Sequence, residues 1–187
     1  QSGIHGSEKL MNLAGAADEK TLVINLISGG GSELMVLPAD GLTLTDKQET
    51  TRILLECGAT IHEINTIRKH LSAIKGGRLA RAVQPATMIC LILSDVVGDD
   101  LDIISSGPSV GDSGTFQDCM DILDKYRIAK RLPAAVAKYL ENGLAGKIPE
   151  TPKPGDPLFK KVFHTIVASN QEALLSAEQK AREPKVS

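Results

Sequence analysis

The chain contains no tryptophan, three phenylalanines and two tyrosines. Stacking platforms for nucleic-acid bases are therefore scarce. Charge of one sign is scarce too, since 21 Lys+Arg stand against 23 Asp+Glu for a net of −2. That balance matches neither a polyanion nor an anionic membrane surface, and no nucleic-acid or membrane partner is expected. Cysteine is limited to Cys57, Cys90 and Cys119, an odd number with no CxxC or Cys/His ligand spacing. A disulfide framework and a structural zinc site are both disfavoured, leaving reduced thiols. There is no signal-peptide pattern and no apolar run of roughly 18 residues, so a soluble, cytoplasmic protein is expected. His62-Glu63 is followed by Thr66 where a zinc protease needs its second histidine, and no Gly-x-Ser-x-Gly elbow occurs. Hydrolase chemistry has no support.

What the chain does have is 187 residues, enough for one domain that buries about two thirds of its unfolded surface. Its apolar residues are mostly Leu, Ile, Val and Ala, the usual filling of a parallel sheet covered by helices. Ser7–Ala16 reads as an amphipathic helix carrying Leu10, Met11 and Leu13. Leu22–Ile27 predicts a buried strand and Leu42–Thr45 a short extended piece. A helix should open with Thr45 or Asp46 as its N-cap and stop at Gly58. Ile64, Ile67, Leu71 and Ile74 form one helical stripe, interrupted by Gly76-Gly77. Thr87–Leu93 is a second apolar strand, followed by a long loop over 96–114. Helices over Thr115–Tyr126 and Pro133–Glu141 lead to a connector at 149–157, whose four prolines keep it extended. Val162–Ala168 makes a third strand before a last helix from Gln171. The alternation predicts an α/β, Rossmann-like layered fold with a mainly parallel sheet flanked by helices. Three strands are few for so many helices, which points to a segment of something larger.

In open α/β sheets ligands bind at the carboxyl ends of strands. All three strands end in small polar residues: Ser28-Gly29-Gly30-Gly31-Ser32, Ser94-Asp95 and Ser169-Asn170. Glycines without Cβ atoms let an anion approach backbone N–H groups, so phosphate or carboxylate suits the first loop. The loop has no lysine for a P-loop, and Leu34 occupies the third glycine position of a dinucleotide fingerprint. Asp95, Asp99 and Asp100 could hold Mg²⁺, a hard cation that takes one or two carboxylates plus phosphate oxygens. Asp95 could instead act as a base toward a hydroxyl. Ser106 and Gly107, in Ser105-Ser-Gly-Pro-Ser109, offer hydroxyl and backbone to an anion. Arg68 and Lys75, seven apart, should share one edge of the apolar stripe and point to the sheet's rim, with Lys69 and His70 projecting elsewhere.

These residues fall into motifs that resemble those of the glycerate 2-kinase family, the MOFRL-type glycerate kinases often labelled hydroxypyruvate reductase. They are Ser28-Gly-Gly-Gly-Ser-Glu-Leu34, Asp46-Lys-Gln48, Gly58-Ala-Thr-Ile-His-Glu-Ile-Asn65, Ile67-Arg-Lys-His-Leu-Ser-Ala-Ile-Lys-Gly-Gly77, Ser94-Asp-Val-Val-Gly-Asp-Asp100 and Ser106-Gly-Pro108. Thr151-Pro-Lys-Pro-Gly-Asp156 and Ser169-Asn170 extend the match over nearly the whole chain. The resemblance implies transfer of phosphate from ATP to the 2-hydroxyl of D-glycerate, with Mg²⁺, in a cleft between two domains. This chain would then be most of the larger domain, and alone it would be inactive. The alternatives are an NAD(P)-dependent hydroxypyruvate reductase and an anion-binding fragment without turnover. On this reading Lys75 and Arg68 neutralise the transferring phosphoryl group, and Ser28, Gly29, Gly30, Gly31 and Ser32 cradle phosphate or glycerate carboxylate. Ser106, Gly107 and Asn170 would join in binding. Asp95, with Asp99 or Asp100, would ligate Mg²⁺ or orient the hydroxyl. A homodimer is left open. Two positions depart from the family pattern: Glu33 replaces a small residue beside the glycines, and Gly111 replaces a proline, which should loosen its loop.

Overall fold

The computed structural model describes residues 2–182. In chain order the elements are α1 (Ser2–Gly15), β1 (Leu22–Ile27), α2 (Gly31–Leu34), α3 (Leu44–Glu56), α4 (Ile61–His70), α5 (Arg78–Val83) and β2 (Thr87–Ser94). They continue with α6 (Phe116–Tyr126), α7 (Ala134–Leu144), β3 (Val162–Ser169) and α8 (Asn170–Arg182). The strands form one parallel sheet in the order β1-β2-β3, with Ile24 opposite Ile89 and Ile89 opposite Phe163. This is the expected parallel sheet with flanking helices.

Two cores hold the molecule. On one face of the sheet, Ile27, Met88, Cys90, Ile92 and Val162 pack with Ala14 of α1 and Leu79, Ala80 and Val83 of α5. Beside it, α3, α4, α6 and α7 bury Ile53, Leu54, Ile67, Phe116, Leu123 and Leu140 against one another. The stripe read as one face is divided between them: Ile64, Ile67 and Leu71 belong to the helical core, Ile74 to the sheet core. The reason is that α4 stops at His70, and a turn carries the chain on to Gly77.

β1 is not the buried strand its composition suggested. Leu22, Ile24 and Leu26 are exposed and line a sheet face left open among the described residues, together with Phe163 on β3. Burial of an apolar strand depends on what covers it, and α1 and α5 cover the other face.

The N-cap of α3 is Thr43 rather than Thr45 or Asp46, and the extended piece shrinks accordingly. Thr43 and Asp46 form a reciprocal capping box: the Asp46 amide donates to Thr43 Oγ1 at 3.1 Å, and the Thr43 amide donates to Asp46 Oδ2 at 2.9 Å. Thr60 with Glu63 and Thr115 with Asp118 repeat this at α4 and α6. Thr115→Ala should therefore cost about 1 kcal/mol and lower the thermal midpoint by about 3 °C, as read by calorimetry. Gly58 ends α3 with φ +77°, as expected. The connector is extended and docks through the Asp112 amide, which donates to the Pro152 carbonyl at 2.8 Å.

Candidate active site

β1 delivers the glycine loop to the carboxyl end of the sheet. Gly30 sits at φ +78° and α2 begins one residue later. Two of the loop's amides are spent internally, Gly31 N–H on the Ser28 carbonyl at 3.3 Å and Glu33 N–H on the Gly30 carbonyl at 3.1 Å. α2 is a single turn, so the helix dipole adds little. Positive charge at this loop comes from side chains instead.

Arg68 on α4 donates from Nη2 to Ser32 Oγ at 3.2 Å. Lys75, from the turn after α4, donates from Nζ to the Ser32 carbonyl at 2.6 Å and to Ser32 Oγ at 2.8 Å. The two cations thus meet at one residue of the glycine loop, although a turn rather than a continuous helix aligns them. Ser106 lies behind the loop, with Oγ 2.9 Å from Ser32 Oγ, and it is buried with Gly107. Ser105, Ser106 and Gly107 are three consecutive left-handed residues, at φ +52°, +61° and +57°. For serine this conformation is costly and persists where neighbours dictate it. Here the neighbours are Gly76 and Gly77, whose amides donate to the Ser106 and Gly107 carbonyls at 3.1 and 2.7 Å. Ser106 and Gly107 therefore brace the loop from inside.

A cavity of about 520 Å³ opens beside Ser32 and is lined by Glu33, Lys47, Arg52, Arg68 and Lys75. Lys47, on α3, is 9% exposed and its Nζ is buried without a hydrogen-bond partner. Burial is the main cause lowering both lysines: Lys75 falls to about 6, with Arg68 and Lys47 also repelling its charge, and Lys47 to about 7, with Arg68 and Arg78 repelling. Burial lowers Arg68 as well, against the attraction of Glu33.

These shifts set a pH dependence of stability. Below about pH 6 both lysines are charged in the folded and the unfolded chain. Above it the folded protein releases protons that the unfolded chain keeps to about pH 10, so stability rises with pH. The gain is at most about 1.4 kcal/mol per pH unit for each lysine. Urea midpoints measured from pH 6 to 8 should increase, and Lys47→Met should flatten the increase.

The remaining expected site residues scatter. Asp95 stands against the glycine loop, where a Cβ on Gly29 would meet its Oδ2 at 2.4 Å. Asp99 occupies a left-handed turn, and Asp100 uses Oδ1 to accept from the Asp102 amide at 3.0 Å. Among the described residues no three His, Cys, Asp or Glu side chains gather as a metal-ligand group. The expected Mg²⁺ ligation by Asp95 with Asp99 or Asp100 calls for one or two carboxylates plus phosphate oxygens rather than such a group of three. Asn170 is exposed at the end of β3, two strands from Ser28. Lys69 and His70 project away from the cavity, as expected: Lys69 is buried with Asp102 and Asp112, and His70 Nε2 lies 3.0 Å from Glu150 Oε2. Gly111 is wedged rather than loose, since a Cβ there would stand 2.5 Å from Pro154 N. Lys47 is the residue the sequence reading passed over. Its signal was the Asp46-Lys-Gln48 motif at the start of α3, which marks a helix and not a direction.

Residues 1–141 match the family described as "Domain of unknown function (DUF4147)". A protein of Pyrococcus horikoshii named "Glycerate 2-kinase" is 45% identical over 183 residues, covering 98% of this chain and 40% of that protein. A protein of Agrobacterium vitis named "Putative hydroxypyruvate reductase" is 47% identical over 156 residues, covering 83% and 34%. A crystal structure described as glycerate kinase from Thermotoga maritima superposes with a TM-score of 0.83 at 38% identity, covering 96% of this chain and 40% of that one. The chain therefore spans two fifths or less of the length of these proteins. No helix among the described residues is long and apolar enough to cross a membrane.

Proposed function

The chain belongs to the DUF4147 family, in which its named relatives include glycerate 2-kinase, and from that premise we propose that it supplies the phosphoryl-transfer wall of an ATP-dependent glycerate 2-kinase. The reaction moves the terminal phosphoryl group of ATP to the 2-hydroxyl of D-glycerate and releases ADP and 2-phosphoglycerate. The observation that carries this reading is the convergence of Arg68 and Lys75 on Ser32 of the glycine loop. Phosphoryl transfer asks the protein mainly for positioning and for charge where the transition state spreads its own. Arg68 and Lys75 supply that charge, and the Ser28–Ser32 loop places the anion. Asp95, beside Gly29, orients the acceptor hydroxyl. Among the described residues no three His, Cys, Asp or Glu side chains gather as a metal-ligand group; Asp95, with Asp99 or Asp100, would hold Mg²⁺ together with phosphate oxygens, and the ion would neutralise phosphate charge there.

The chain's share of its relatives' length supports its being one α/β domain, a segment of the larger domain of a two-domain enzyme. Its free cysteines accord with a reducing, cytoplasmic location. The open apolar sheet face would suit either the rest of a longer polypeptide or a second copy in a homodimer. The reductase alternative is supported by the name of the Agrobacterium vitis relative, against a loop with Leu34 at the third glycine position.

Coupled ADP release with D-glycerate, ATP and Mg²⁺ tests the proposal. Turnover is expected from a polypeptide of the relatives' length that carries this chain, and none from the 187 residues alone. Oxidation of NADH with hydroxypyruvate, without ADP release, would instead establish the reductase.

A further inference from the structure

The cavity beside Ser32 holds more positive charge than the two expected cations provide. Lys47 reaches it from α3, Arg68 from α4 and Lys75 from the turn before α5, three separate elements. Lys47 Nζ makes no hydrogen bond, and neither its own helix nor its neighbours offer it a carboxylate. A buried ammonium without a partner is costly, and such a group is retained where a ligand completes it. On the same wall, Arg52 is already committed to Glu49 and Glu56. The counter-charge at hand is Glu33, exposed at the rim and favouring the charged forms of Arg68 and Lys75. Below about pH 6, where both lysines are protonated, three cations face one carboxylate and leave a vacancy for about two negative charges; near neutral pH an incoming anion draws back the protons that burial removes. A phosphate dianion matches that balance and geometry better than a singly charged carboxylate.

We propose that Lys47 is a phosphate-binding residue: with Arg68 and Lys75 it encloses a dianionic phosphate group, and Glu33 is the counter-ion that this group displaces. The assignment rests on the phosphoryl-transfer reading and deepens it, since it places the phosphate rather than the glycerate carboxylate in this cavity. It also gives Glu33, where the family pattern has a small residue, a defined effect: it weakens resting anion binding without abolishing it.

Calorimetric titration of the 187-residue chain with inorganic phosphate, at pH 7 and low salt, tests this without ATP or turnover. Lys47→Met should weaken phosphate binding at least tenfold, Lys47→Arg should stay within about threefold of wild type, and Glu33→Gln should tighten binding several-fold. D-glycerate should bind this chain more weakly than phosphate does. Removing an unpaired buried ammonium should raise the thermal midpoint of Lys47→Met, so a loss of binding with an intact fold is the expected pair of results. Were Lys47→Met unstable, Lys47→Gln would make the same comparison. Phosphate affinity unchanged in Lys47→Met, or Glu33→Gln binding no tighter than wild type, overturns the assignment. Because no nucleotide is present, phosphate binding by this chain together with an absence of kinase activity in a polypeptide of the relatives' length would sink the kinase reading alone.

Discussion

In a polypeptide of the relatives' length that carries this chain, replacing Lys75 by methionine is expected to lower kcat/KM for the proposed D-glycerate phosphorylation by about a thousandfold, the scale of losing a cation or preorganised donor at a transferring phosphoryl group. The side chain is 2% exposed, and its Nζ is within hydrogen-bond reach of Ser32 and 3.5 Å from the Ser105 carbonyl and Ser106 Oγ. Methionine fills similar volume but supplies no proton and no charge. The loss should fall on kcat if Lys75 meets the phosphoryl group in the transition state, and on KM if it merely holds a ground-state anion. Initial rates by coupled ADP release over a range of ATP concentrations at saturating D-glycerate separate the two. The pH profile adds a second readout. With Lys75 lowered to about 6, kcat/KM should decline as pH rises above that value, because the required ammonium is lost. Lys75→Arg keeps its proton, so any activity it retains should lack that decline. A Lys75→Met enzyme within a few-fold of wild type would remove Lys75 from the site.

Gly111→Ala should destabilise the chain by about 3 kcal/mol, at the upper end of overpacking costs. A Cβ there would lie 2.5 Å from Pro154 N and 2.7 Å from both Lys153 C and Pro154 Cα. All three are backbone atoms of the connector, which is itself fixed by the bond from Asp112 N–H to the Pro152 carbonyl. No rotamer change relieves such a clash. Gly29→Ala makes the opposite comparison. Its Cβ would meet the carboxylate of exposed Asp95, which can swing aside. Stability should then change by less than about 1 kcal/mol, while displacing Asp95, the proposed acceptor-orienting group, should lower the activity of a polypeptide of the relatives' length. Urea unfolding of both variants, with ADP release for the second, checks the pair.

The strands and most helices were legible because their apolar runs and turn residues are local signals. Leu22–Ile27 matches its run residue for residue, and β2 and β3 each extend theirs by a single serine, Ser94 and Ser169. Spacing on a continuous helix put Arg68 and Lys75 on one edge of the apolar stripe, but α4 stops at His70, and it is the turn after it that brings Lys75 to Ser32. What escaped were features decided between segments. Nothing in Ser105-Ser106 announces a positive φ; the amides of Gly76 and Gly77 impose it from thirty residues away. Gly111 read as looseness because a glycine's lack of side chain looks alike whether space is empty or filled by another backbone. Lys47 was passed over because its burial is a property of the packed cavity and not of its own helix. The Thr43 cap, by contrast, was legible as Thr-x-x-Asp and was placed two or three residues late.

The division of the apolar stripe has a mechanical meaning. Leu71 is clamped in the helical core, Ile74 in the sheet core, and Lys75 follows directly. The short span between them acts as an axle whose two bearings lie in different bodies of the molecule. A shift of one core relative to the other would change the Lys75–Ser32 contact. The geometry of the glycine loop therefore depends on how both cores pack, and not on its own residues alone.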